Sequence, residues 1–233
     1  FKRNNSHNAH MHQMCLVGRE EMVILGVDLR ASSKRPSTVV ALDSDSNVVF
    51  FDSFDHDPEL HEMVKVCKPD LIAIGAPLAL PGGLCCLETN CSCRFSTPQN
   101  KGRQSEIDLA RMGISCFFTN KGSIVRGLIY RSIQMNQHLS EMGCRVIEVY
   151  PHATKVLLFG DNAPPKNNPA SVTFLKEKLI PLVPGLDSYV EKMDRNSRDA
   201  VLNAYTAVLH WDDKTDMLGT EEEGMLVLPK LPS

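Results

Sequence analysis

The sequence predicts an α/β domain built on a mixed sheet, antiparallel hairpin strands beside parallel ones, flanked by helices. Three observations carry that reading. Short apolar runs bounded by turn residues recur along the chain, the pattern of buried strands. Segments with apolar residues at i, i+3, i+4 and i+7 fall between them, the pattern of amphipathic helices. No linker-like stretch divides the 233 residues, so residues 22–233 are read as one domain.

Residues 22–29 (MVILGVDL) form the first buried run, with Asp28 near its carboxyl end. STVVAL at 37–42 and NVVFFD at 47–52 follow as a hairpin, joined by the turn-prone Asp43, Ser44, Asp45 and Ser46. Asp57-Pro58 reads as a helix start, and Leu60, Met63, Val64 and Cys67 mark one apolar face. Residues 71–75 (LIAIG) make another buried strand. An excursion over 76–104 carries Pro77, Pro81, Gly82, Gly83, Pro98 and Gly102 and is expected to be irregular. Helices are expected over 105–112, 125–142, 153–159 and 172–182, with a strand over 145–149 (RVIEV). Ser197 is taken as the N-cap of a helix through His210, and 225–228 as a last short strand. The acidic run Glu221–Glu223 reads as a solvated turn.

Composition narrows the class. The chain is 42% hydrophobic and 23% charged, with 25 basic against 28 acidic residues and a net charge of −3. That excludes a histone-like polycation. No apolar run reaches the roughly 18 residues of a membrane span. Residues 1–21 lack a signal-like apolar run; a disordered leader is favoured there over a metal site of His7, His10 and His12. Eight cysteines are too few for a disulfide scaffold, and the expected compartment is the reducing cytoplasm.

Phosphate-loop, dinucleotide and nucleophile-elbow signatures are missing. His61-Glu62 begins a zinc motif that Lys65 breaks. What remains is acidic. Asp28 and Glu148 each sit near the carboxyl end of an apolar strand, where sites gather in α/β sheets, and Asp199 falls in the expected first turn of the last helix. Converging carboxylates need a cation, and hard oxygen ligands suit Mg²⁺ or Mn²⁺. The rival reading is three unrelated structural acids.

GVDLRASSKRPS at 26–37, IAIGAPLALP at 72–81, CCLETNC at 85–91, RVIEVYPHAT at 145–154, Asp199-Ala200 before AYTA, and EEGMLVLP at 222–229 occur in that order. Together they resemble the domain-of-unknown-function 429 family, predicted nucleases of the RNase H-like fold. The resemblance implies a sheet with the first, fourth and fifth strands adjacent. It also implies acids converging on a pair of Mg²⁺ ions from positions 28, 75, 148 and 199, to hydrolyse a phosphodiester. Asp28, Glu148 and Asp199 are thus the expected catalytic and metal-binding residues. Position 75 departs: the family's aspartate is Gly75 here, so either hydrolysis is weakened or the chain is a degenerate module that binds nucleic acid or a nucleotide. On this reading Gly75→Asp would supply the missing ligand. An actin-like ATP-binding relative, with Ser32 and Ser33 facing phosphates, is a third reading.

Two further groups stand out. Cys85, Cys86, Cys91 and Cys93 have a CCx4CxC spacing unlike the usual zinc ladder, and a loop of small, soft residues is favoured over a zinc site. From Arg94 to Arg131 there are seven basic residues against two acidic. Arg103, Lys121 and Arg126, with Ser32 and Ser33, are the expected substrate contacts, and Phe117 and Phe118 are candidates to stack a base.

Overall fold

The structure is a computed structural model that describes residues 22–31, 35–97, 101–160, 163–164 and 168–230. The leader at 1–21, with its three histidines, and Ser32 and Ser33 lie outside the described residues.

The strands are β1 (Ile24–Asp28), β2 (Ser37–Leu42), β3 (Val48–Phe54), β4 (Leu71–Ile74), β5 (Val146–Val149), β6 (Thr215–Thr220) and β7 (Gly224–Pro229). They form one sheet in the order β3-β2-β1-β4-β5-β7-β6. The first three pair antiparallel; β1, β4, β5 and β7 run parallel; β6 closes the edge as a hairpin with β7. The first, fourth and fifth strands are adjacent, as the resemblance implies. The helices are α1 (Asp57–Cys67), α2 (Gln104–Arg111), α3 (Arg126–Glu141), α4 (Pro151–Phe159), α5 (Ala170–Leu179) and α6 (Arg195–Trp211), with a 3₁₀ turn at Leu186–Lys192. Among the described residues no helix is long and apolar enough to cross a membrane.

Strand alternation sorts the core into two layers. Leu25, Val27, Val39, Ala41, Ile72 and Ile74 pack with α1 and α3 on one face. Ile24, Val40, Leu42, Leu71 and Ala73 pack with α5 and α6 on the other. Gly26 faces α6 at a distance no side chain survives: a Cβ there would lie 2.2 Å from the Ala204 nitrogen and 2.4 Å from the Ala200 oxygen. Glycine in β1 and alanines in α6 therefore let the helix backbone sit directly on the strand. This contact fixes where α6 presents its polar residues.

The N-terminus of α6 differs from the expectation at Ser197. The cap is Asp194, whose carboxylate accepts from the Asn196 and Ser197 amides at 2.9 Å and from the Ser197 hydroxyl at 2.6 Å. Ser197 Oγ in turn accepts from the Asp194 amide. Two good capping residues three apart form one reciprocal box, and the outer one starts the helix. Asp199 consequently falls in the second turn. Partial burial pushes the Asp194 carboxyl up, but the Ser197 and Asn196 donors outweigh it and hold it below the ordinary carboxylate range. A depressed native pKa contributes stability that is present above the unfolded value and lost as pH falls through the native one. Asp194→Ala is expected to cost about 1 kcal/mol in urea melts at neutral pH. Its deficit against wild type is expected to shrink as the medium is made acid; a pH-independent deficit would contradict the cap.

Candidate functional site

The carboxyl ends of β1, β4 and β5 bring the expected residues to one sheet edge but not to one face. Val27 registers with Ile74, and Ile74 with Glu148. Glu148 therefore points to the α1–α3 side, while Asp28, two residues beyond Gly26, points to the α6 side. Glu148 is 4% exposed and both its oxygens are engaged. Arg103 grips it with two nitrogens, Nη1 to Oε2 at 2.6 Å and Nη2 to Oε1, and the Leu78 amide donates to Oε2 at 2.8 Å.

Arg103, 2% exposed, is the N-cap residue of α2. Its Nε donates to Glu106 Oε1 at 3.0 Å, and Glu106 also accepts from the Thr119 amide and hydroxyl. Burial alone would push the guanidinium down; Glu148 first and Glu106 second hold it above its ordinary value. A bidentate arginine between two hydrogen-bonded carboxylates is a satisfied buried network. Glu148 and Arg103 are both engaged in this network, and Arg103, expected as a substrate contact, is buried against the two carboxylates.

Asp28 keeps different company. It is 7% exposed and ion-paired with Arg30 at 2.7 Å. The space beside it, where position 75 would carry a side chain, is filled by Asn203. This asparagine is fully buried and donates Nδ2 to the Val27 carbonyl at 2.9 Å. A Cβ on Gly75 would lie 2.4 Å from that nitrogen. Asn203 was invisible to sequence reasoning; the missing side chain at 75 was its only signal. Asp199 lies one helical turn before Asn203 on the same face of α6. Burial, then Cys116 and Asp199, push the Tyr150 phenol at the end of β5 above its ordinary value. The α6 side of this edge thus carries Asp28 and Asp199, without Glu148. A metal pair held by all three carboxylates does not fit these residues.

The acidic turn is solvated at Glu221 and Glu222, as expected, but not at Glu223. Glu223 is 8% exposed and accepts from the Gly82 amide at 2.7 Å and the Gln104 amide at 2.6 Å, tying both ends of the excursion to the β6–β7 hairpin.

No protein-family model and no curated protein matches the chain. Among solved structures it is similar to the Thermus thermophilus RuvC structure, at 12% identity over 82% of this chain and 97% of that one, with a TM-score of 0.43. A likeness of that size carries no statement about activity.

The basic stretch divides in two. Arg103 is buried, Arg111 pairs with Asp108, Arg126 faces Glu88 at 3.7 Å, and Arg131 pairs with Asp57. Arg94, Lys101 and Lys121 instead line a cavity of about 590 Å³ together with Leu84, Phe95 and Phe118. No carboxylate lines it among the described residues. Phe118 belongs to this wall, while Phe117 is 65% exposed and outside it.

Also on that wall is Cys93. The four clustered cysteines, expected to be a loop of small, soft residues rather than a zinc site, have their sulfurs within 4.8 Å of one another. The bend at Cys85, the Gly82-Gly83 turn and the turn at Thr89-Asn90 bring them together; none of these is legible from the spacing.

Proposed function

We propose that the chain is a binding module for nucleic acid or a nucleotide on an RNase H-like sheet, related to the domain-of-unknown-function 429 nucleases. The observation that carries this reading is the cavity walled by Arg94, Lys101 and Lys121 and by Phe95 and Phe118. Three cations with no carboxylate among them suit phosphate, and aromatic faces of this kind stack bases without regard to sequence. Lys101 and Lys121 would hold phosphates, and Phe118 would hold the base. The test is fluorescence titration of labelled single-stranded DNA and RNA, and of a nucleoside triphosphate, over a salt series. Lys101→Ala is expected to weaken oligonucleotide binding severalfold and to reduce the slope of log affinity against log salt by about one. Lys65→Ala, on exposed α1 surface, is the control. Equal affinity in both variants would contradict the reading.

A second reading, metal-assisted phosphodiester hydrolysis, is favoured by one observation: Asp28 and Asp199 share the α6 side of the strand ends. Those two residues would be the ones to hold Mg²⁺ or Mn²⁺. Mg²⁺-dependent cleavage that Asp28→Asn abolishes would support it.

A further inference from the structure

We propose that Cys85, Cys86, Cys91 and Cys93 form a structural zinc site that staples the excursion between β4 and α2. The four Sγ atoms lie within 4.8 Å of one another, and Cys85 and Cys91 are 3.6 Å apart. Tetrahedral zinc with four thiolates at about 2.3 Å places its sulfurs about 3.8 Å apart, so this grouping needs only small shifts to close on an ion. Cys85 and Cys91 sit too far apart for an S–S bond as they stand.

The surroundings suit such a centre independently of the sulfurs. Zinc with four thiolates carries a net charge of −2, and cations are placed beside it. Lys121 Nζ donates to the Cys91 carbonyl at 2.5 Å, and Arg94 donates to the Ser92 and Cys93 carbonyls at 2.7 and 2.9 Å. Neither side chain pairs with an acid among the described residues. Neighbouring donors and cations of this kind orient ligands and balance their charge.

The loop is also built into the fold. Leu87, fully buried, packs with Leu84 and Ile129. Its amide donates to the Tyr130 hydroxyl at 2.6 Å, and its carbonyl accepts from the Gly122 amide at 2.9 Å. Ala76 and Leu78 anchor the start of the excursion in the α1–α3 layer, and Leu80 and Phe95 pack on the Leu84–Leu87 cluster, but the segment that carries the four cysteines has no helix or strand of its own. A metal cross-link provides what the apolar core does not. Because Cys93 and its neighbours Arg94 and Phe95 wall the cationic cavity, the staple also sets the shape of that cavity. The site itself does not depend on what the cavity binds.

The test uses the full chain, purified from zinc-supplemented cells and dialysed without chelator. Elemental analysis is expected to return one zinc per chain. After exchange with cobalt, thiolate-to-metal charge-transfer absorption and the strong ligand-field bands of tetrahedral cobalt are expected. Cys91→Ser is expected to lose both the zinc and the charge-transfer band, while Cys116→Ser, outside the group, keeps them. Substoichiometric metal in the wild type, or equimolar zinc retained in Cys91→Ser, would overturn the proposal. The wild-type measurement stands even if the serine variant fails to fold.

Discussion

Arg103→Ala is expected to lower stability by about 3–5 kcal/mol, the cost of leaving buried carboxylates without their cation. For a domain of this size that is a fall in Tm of roughly 6–20 °C. The magnitude follows from geometry: Arg103 is 2% and Glu148 4% exposed, and the guanidinium also serves Glu106. Lysine cannot substitute, because one ammonium cannot make the two-pronged grip on Glu148 and the Nε bond to Glu106 together. Arg103→Lys is therefore expected to keep most of the deficit. Glu148→Gln removes the charge but keeps the shape, and is expected to destabilise less than Arg103→Ala while leaving oligonucleotide binding intact. If Arg103→Ala melted with the wild type, the network would contribute nothing to the stability of the fold.

The second large effect is at Gly75. Gly75→Asp alone is expected to cost roughly 2–5 kcal/mol, through overpacking against Asn203 and loss of the Asn203 bond to the Val27 carbonyl. The expectation that an aspartate at 75 simply adds a ligand is corrected by that buried asparagine, whose amide stands 2.4 Å from where the new Cβ would be. The paired change Gly75→Asp/Asn203→Ala is expected to recover much of the loss, because the alanine vacates the space. It is also expected to acquire a Mg²⁺-dependent rise in Tm that the wild type lacks, since a new carboxylate then lies beside Asp28. Thermal melts of the three chains with and without Mg²⁺ decide it. A single variant as stable as the wild type would show that Asn203 does not occupy that space.

The strands that build the sheet centre were legible because each is a short apolar run ending at a turn residue. MVILGVDL, STVVAL and LIAIG all fall within a residue or two of β1, β2 and β4. The α1 face was legible to the residue, at Leu60, Met63, Val64 and Cys67. The edge strand β6 was not, because TDMLGT buries no residue fully and alternates weakly. The acids at the strand ends were legible in residue type and position along the chain but not in face. Asp28 and Glu148 look alike in sequence, each near the end of an apolar run. Which side each occupies depends on the register of β4 against β5, a long-range property no local pattern encodes. The partner that claims Glu148 comes from 45 residues away. The cysteine group failed for a related reason, since backbone bends, not spacing, bring its sulfurs together.

The most direct measurement is to follow binding and integrity of one labelled oligonucleotide in the same sample, with Mg²⁺, with Mn²⁺ and with chelator. Binding that falls steeply with salt, survives chelation and leaves the strand uncut is the predicted result. Metal-dependent cleavage that Asp28→Asn abolishes, in a chain that still folds, would contradict it.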